Sequence, residues 1–256
     1  FKQKTAYEIK ECDWSSDVCS SDLGVVLCAG KPRPSSATAE LTWGLIICAM
    51  RQIPQQMASL KRGQWQTALG RGLRGRTLGV WGYGRIGQQV AAFGRAFGMK
   101  VLIWSRETGL ASARADGYAA APSKQALFEE ADVLSLHVRL NAETRGMVTA
   151  EDLARMKPTA LIANTSRAEL IEPGALVAAL KAGRPGMAAV DVFEKEPVTD
   201  LQQPLLNMNN VVCTPHLGYV ERDQLERYYS DQFNRVLAFD KGAPVDVANP
   251  QAMAAR

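Results

Sequence analysis

Three short segments carry side chains that together could do chemistry: Asn164-Thr-Ser-Arg-Ala-Glu-Leu-Ile-Glu172, Asp191-Val-Phe-Glu-Lys-Glu-Pro197 and Thr214-Pro-His-Leu-Gly218. Between them they offer an arginine, a glutamate and a histidine. Arg167 presents a planar guanidinium that can hold a carboxylate through two N–H bonds and polarise the neighbouring carbonyl. His216 can give or take a hydroxyl proton near neutrality. Glu196 can hydrogen-bond the imidazole, orienting it and favouring its protonated form. The trio suits a reversible ketone–alcohol conversion on a carboxylic acid, provided something else carries the hydride. Taken singly, Glu196 before Pro197 reads as a strand-ending loop residue and Arg167 as a surface charge; only the set points to a site. The other histidine, His137, ends an apolar run and is expected to be structural, as Trp81 and Trp104 are expected to pack in the core.

A hydride carrier has its own pattern in the chain. Leu78-Gly-Val-Trp-Gly-Tyr-Gly-Arg-Ile-Gly87 runs from an apolar strand through Gly82, Gly84 and Gly87 into an amphipathic helix continued by Val90, Phe93, Gly94 and Phe97. Gly82 permits a tight turn, Gly84 admits a pyrophosphate close to backbone, and Gly87 allows the helix to approach the strand. The helix N-terminus then offers N–H groups to phosphate. The expected cofactor contacts are Gly82, Gly84, Arg85, Ile86, Gly87, Ser105, Arg106, Thr165, Ser166, Asp191 and Gly218, and no metal is expected. The second strand, Lys100–Trp104, ends in Ser105-Arg106-Glu107. A small residue followed by Arg accommodates a 2′-phosphate, whereas an acid there would bond ribose hydroxyls. The spacing therefore favours NADP over NAD, although Glu107 could still reach a ribose.

These loops must be positioned by regular elements, and the chain supplies an alternation of strand and helix. Strand candidates are Thr77–Gly82, Lys100–Trp104, Val133–Val138, Ala160–Asn164, Ala188–Val192 and Asn210–Cys213. Such alternation implies an α/β fold with a doubly wound parallel sheet of the Rossmann type. Upstream, Gly24–Cys28 reads as a short strand and Lys31–Ser36 as a loop ending in a helix cap. A long helix comes next, through Leu41, Leu45, Cys48 and Ile53, which Pro54 should kink. A further amphipathic helix is expected around Glu221–Leu237. The longest apolar run, Leu41–Met50, is too short to span a bilayer, and no secretory signal is visible.

Residues 1–23 differ in character from the rest of the chain. Lys2–Ile9 and Cys12–Leu23 match the one-frame translation of an indexed DNA-sequencing adapter, TGG AGT TCA GAC GTG TGC TCT TCC GAT reading as Trp14 to Asp22. They are expected to be non-native. The full chain of 256 residues has a formal charge of +4; residues 1–23 hold three Lys and five acids, so the remainder is more basic, which suits anionic ligands. The bases are scattered, without the aromatic-interleaved stripe of a nucleic-acid surface. Outside residues 1–23 the cysteines are Cys28, Cys48 and Cys213, an odd number with no CxxC, so reduced thiols and a cytoplasmic location are expected.

In order along the chain, Gly-Tyr-Gly-Arg-Ile-Gly, Ser-Arg-x-x-x-Ile-Glu, Asp-Val-Phe-x-x-Glu-Pro and Thr-Pro-His-Leu-Gly resemble the D-isomer-specific 2-hydroxyacid dehydrogenases. That family includes phosphoglycerate, glyoxylate/hydroxypyruvate and D-lactate dehydrogenases, and the resemblance covers about residues 24 to 250. It implies that Arg167 binds substrate, Glu196 partners the histidine, His216 is the acid/base and Asp191 contacts the nicotinamide carboxamide. The implied reaction interconverts a small 2-keto acid and the D-2-hydroxy acid, in a homodimer, with no nucleic-acid or membrane partner. Ala168 stands where the family usually has glycine, Glu172 where aspartate is usual and Arg139 where proline is common. The expected division is 24–37 as a remnant of a flavodoxin-like substrate domain, 38–218 as the NAD(P)-binding domain and 219–256 as the return to the substrate domain. The family's N-terminal half-domain, with the loop that grips the substrate carboxylate, is not seen, so a truncated chain of weak or no turnover is expected. A non-enzymatic NAD(H)-binding regulator resembling the C-terminal-binding corepressors is the alternative.

Overall fold

The computed structural model describes residues 25–29 and 36–253, so the adapter-like stretch 1–23 lies outside the described residues, as does most of the Lys31–Ser36 loop. The described residues fall into two compact units, 36–221 and a second made of 25–29 with 222–253.

The larger unit is built on β1 (Thr77–Trp81), β2 (Lys100–Trp104), β3 (Ala119–Ala120), β4 (Val133–Leu136), β5 (Leu161–Asn164), β6 (Met187–Val190) and β7 (Val211–Cys213). All pairings are parallel, in the order β3-β2-β1-β4-β5-β6-β7. A parallel sheet needs a crossover after each strand, and the crossovers cover both faces, which is why the strands read as continuous apolar runs. Against Leu78, Val80, Val133, Leu161 and Ala189 pack α1 (Ala37–Arg51), α3 (Arg85–Ala96) and α4 (Glu107–Ala115). Against Leu134, Leu136, Ile162 and Val190 pack α5 (Lys124–Glu130), α6 (Ala150–Arg155) and α7 (Ala175–Lys181). Alternate residues of one strand thus enter two separate cores. Trp81 lies in the second of these, edge-on to Phe128 at 5.8 Å, and Trp104 packs against it.

The structure corrects several local expectations. Strand pairing stops at Trp81, Leu136 and Val190 rather than at Gly82, Val138 and Val192, because the chain turns out of the sheet there to form loops. The two-residue β3 carries no alternation to read; pairing with Leu102 and Ile103 alone defines it. The long helix does not kink at Pro54 but ends at Arg51. Gln52 takes a left-handed conformation (φ 53°), and α2 (Ile53–Lys61) restarts with Pro54 in its first turn, where a missing N–H costs no helical bond. Ser36 precedes α1 without capping it through its side chain, since its hydroxyl donates to Glu40 instead. Gly24–Cys28 is not a strand in its described part, residues 25–28: Cys28 forms a single antiparallel bridge to Val247.

In the smaller unit, Asn249 fastens that segment, accepting from the Leu27 N–H at 2.7 Å and donating to the Val25 carbonyl at 2.8 Å. Its helix α8 (Arg222–Asp240) matches the expected amphipathic helix. Cys28, Cys48 and Cys213 are free thiols, and burial pushes Cys213 up to about 11. Among the described residues no helix is long and apolar enough to cross a membrane.

Asp132 ties the entry of β1 to the loop before β4. Its Oδ2 accepts the Thr77 N–H at 2.8 Å, and its Oδ1 lies 3.0 Å from Lys157 Nζ and 3.9 Å from Arg76. Burial alone would raise this carboxyl, but the N–H bond and the two cations outweigh it and hold it below its ordinary value. A depressed folded-state pKa gives stability that is present above the unfolded pKa and lost as pH falls through the folded one. Asp132→Asn should therefore lose about 1–3 kcal/mol near neutrality, with the deficit shrinking on the acid side. Denaturant unfolding across that pH range checks both the sign and the slope.

Candidate active site

Because every strand runs the same way, the loops leaving β1, β2, β4, β5, β6 and β7 all emerge at one edge of the sheet, the edge at which open α/β sheets bind ligands. At the centre is the glycine turn. Gly82 has φ +100°, and a Cβ on it would sit 2.4 Å from the His137 carbonyl oxygen; a Cβ on Gly87 would sit 2.0 Å from the Gly82 oxygen. Those two glycines are required by the close approach of α3, β1 and β4. Gly84 differs: a Cβ there would meet nothing within 4 Å. It faces open space at the N-terminus of α3, whose first-turn N–H groups, at Arg85, Ile86 and Gly87, have no partner within the helix. This cradle fits a pyrophosphate. The Tyr83 ring between the glycines is buried, and its hydroxyl donates to Asp116 at 2.7 Å; burial first, then that bond, pushes the phenol upward.

Beyond β2, Ser105 Oγ accepts the Tyr83 N–H at 3.4 Å. Glu107 is held by Arg114 at 2.8 Å. Arg85 and Arg106 are exposed, and neither pairs with an acid among the described residues.

Beyond β5, Thr165 is buried and its Oγ1 lies 2.7 Å from Thr42 Oγ1, while Ser166 Oγ donates to the Leu136 carbonyl at 2.7 Å. Arg167 is exposed; its guanidinium donates only to the Ser166 carbonyl, at 2.7 Å. Beyond β6, Glu196 Oε1 accepts the Phe193 N–H at 2.9 Å, and Oε2 lies 2.7 Å from His216 Nδ1. One oxygen fixes the carboxylate to its own loop and leaves the other to fix the imidazole, so that Nε2 is the free ring nitrogen. Beyond β7, His216 itself has φ 55°, a left-handed conformation that a non-glycine residue holds only under restraint. Asp191 provides it. Fully buried, its Oδ1 accepts Thr214 Oγ1 at 2.6 Å and the Leu217 N–H at 2.7 Å, and its Oδ2 accepts the Gly218 N–H at 2.8 Å.

A family model described as "D-isomer specific 2-hydroxyacid dehydrogenase, NAD binding domain" matches residues 43–218. The chain belongs to that family. It is 41% identical over 201 residues to a D-3-phosphoglycerate dehydrogenase of Methanocaldococcus jannaschii, an alignment that covers 78% of this chain but only 38% of the relative. It is 36% identical over 248 residues to a glyoxylate reductase of Aeropyrum pernix, covering 93% of this chain and 73% of that one. A solved structure from Ralstonia solanacearum, given provisionally as a D-3-phosphoglycerate dehydrogenase, superposes with a TM-score of 0.86 at 55% identity over 91% of this chain and 71% of its own.

Within this dehydrogenase fold the structure brings Glu196 and His216 into direct contact, and among the described residues no acid pairs with the Arg167 guanidinium. It engages Asp191 and both backbone groups of Gly218 inside the chain, Gly218 O accepting from Thr38 Oγ1 at 2.7 Å. Sequence reasoning missed Thr38, Thr42 and Tyr219. Tyr219 lies edge-on to His216 at 5.8 Å, directly after the Thr-Pro-His-Leu-Gly motif; the threonines sit far upstream, and no spacing rule links them to it. His137 lies away from this pair: its Nε2 lies 2.8 Å from Ser135 Oγ, its Nδ1 has no partner among the described residues, and burial pushes it down to about 4. A cavity of about 520 Å³ lined by Ile171, Leu176, Phe193 and Leu205 includes none of the expected site residues.

The two kinds of glycine should separate experimentally. Gly84→Val, which meets open space at an ordinary φ, should leave the melting temperature unchanged while weakening nicotinamide-cofactor binding about tenfold or more. Gly87→Ala should instead lower the melting temperature, since its Cβ collides with backbone. Thermal unfolding and fluorescence titration of each variant check this.

Proposed function

We propose that the chain is the NAD(P)-binding part, about residues 38–218, of an oxidoreductase interconverting a small 2-keto acid and its D-2-hydroxy acid, with the flanking residues belonging to a substrate domain. The 2.7 Å contact between Glu196 and His216 carries this reading, because it couples an oriented imidazole to loops at the ligand-binding edge of a dinucleotide fold. A bound nicotinamide supplies or accepts the hydride. Arg167, free of competing acids, holds the substrate carboxylate and draws electron density from the adjacent carbonyl. His216, held through Nδ1 by Glu196, presents Nε2 to the substrate oxygen. It donates a proton as the ketone becomes an alcohol and takes it back in the reverse direction. The glyoxylate reductase similarity supports a small keto acid as substrate.

Because the chain spans only part of its relatives' length, the assay is steady-state reduction of glyoxylate, hydroxypyruvate and pyruvate by the chain joined to the N-terminal segment of a homologue. His216→Ala should lower kcat by about 10²–10⁴-fold, and Arg167→Lys should lower kcat/KM through the loss of bidentate binding. Cofactor bound by that joined chain with none of the three acids reduced would favour the regulatory alternative.

NADP is the proposed cofactor. Ser105 leaves room at the end of β2, Arg106 and Arg85 are uncommitted cations, and Glu107 is drawn to Arg114. Fluorescence titration should show NADPH binding more tightly than NADH, with Arg106→Ala removing most of the difference. Tighter NADH binding, unchanged by that substitution, would overturn the preference.

A further inference from the structure

Thr38 and Thr42 stand four residues apart on α1 and so share one helix face. Each hydroxyl makes one contact with a site loop. Thr38 Oγ1 donates to the Gly218 carbonyl at 2.7 Å. Thr42 Oγ1 donates its one proton to the Thr38 carbonyl at 2.7 Å, so in its 2.7 Å contact with Thr165 Oγ1 it must accept. Gly218 lies two residues past His216, and Thr165 two residues before Arg167. One face of a single helix is therefore bonded to both loops that bear the proposed chemistry.

Packing alone does not call for this. Valine would fill the same volume on a buried face, where a hydroxyl is costly unless bonded, and Thr42 is fully buried. The His216 loop also needs outside restraint, being left-handed at His216, and Gly218 is clamped twice, at its N–H by Asp191 and at its oxygen by Thr38. We propose that Thr38 and Thr42 are positioning residues that use α1 as a common rail to fix the His216 loop relative to the Arg167 loop. This rests on the reading of those loops as the substrate-binding and proton-transfer elements. Displacements of about 1 Å in such a pair cost about a hundredfold in rate, so a shared rigid anchor has a direct kinetic consequence.

The test combines hydrogen–deuterium exchange with kinetics on Thr38→Val, Thr42→Val, Thr165→Val and the two α1 Thr→Ser variants of the same chain. Thr38→Val should speed exchange in residues 214–218, and Thr42→Val and Thr165→Val in residues 164–168, with the rest of the sheet unchanged. Thr38→Val and Thr42→Val should each lower kcat about tenfold or more while leaving the cofactor Kd within twofold; Thr165→Val, at an expected cofactor contact, is read by exchange alone. The serine variants should restore both readouts, and Thr42→Val with Thr165→Val should be no worse than either alone. Unchanged loop exchange, faster exchange spread over the whole domain, or failure of serine to rescue would overturn the proposal. Exchange is read without turnover on the chain as it stands and kinetics on the chain joined to a homologue's N-terminal segment, so a joined chain inactive toward every 2-keto acid would overturn the functional reading while the exchange result still decides the anchoring.

Discussion

A carboxylate taken wholly out of water must be met by donors, and Asp191 is met by three, all from the five residues Thr214–Gly218. The rest of the site depends on that arrangement. The loop closes around the acid, and the residue at its apex, His216, is left in a conformation it would not adopt alone. Its imidazole then points at Glu196, whose other oxygen is engaged by the Phe193 N–H. The loop that holds His216 in this conformation is thus bonded by a buried acid on one side and, at Gly218, by a threonine of α1 on the other.

The parallel sheet decides where this can happen. Crossovers return every strand to the same edge, so residues more than a hundred positions apart, such as Gly84 and His216, leave the sheet at one end. The glycine turn fits there only because α3 and the β4 loop approach to distances that exclude a Cβ at Gly82 and Gly87, and His137 is consumed in building that wall. Of the three glycines, Gly84 alone faces outward. Steric need and openness to ligand are therefore separable within one six-residue motif.

The proposed preference between the two nicotinamide cofactors rests on a short stretch after β2. There Glu107, the only acid near enough in sequence to take the ribose, is in an ion pair with Arg114, and Ser105 turns its hydroxyl to the Tyr83 N–H. The ion pair supports the NADP reading, since it draws the acid away from a ribose.

Much was legible in the residues themselves. The order of strands and helices comes from apolar runs and glycine punctuation, the dinucleotide turn from three glycines in the right frame, and the loop positions of the candidate Arg, Glu and His from motifs that follow strands. These signals are local, each contained in a window of ten or so residues. What escaped was either too short to carry a period, as at β3, or a choice between two partners for one hydroxyl, as at Ser36. The roles of Asp191, Gly218, Thr38 and Thr42 as an interlocked anchor were decided by tertiary structure alone. Hydrogen bonds between residues as much as 180 positions apart leave no mark in local sequence; they exist because a parallel sheet and the helix laid across it bring those positions within 3 Å.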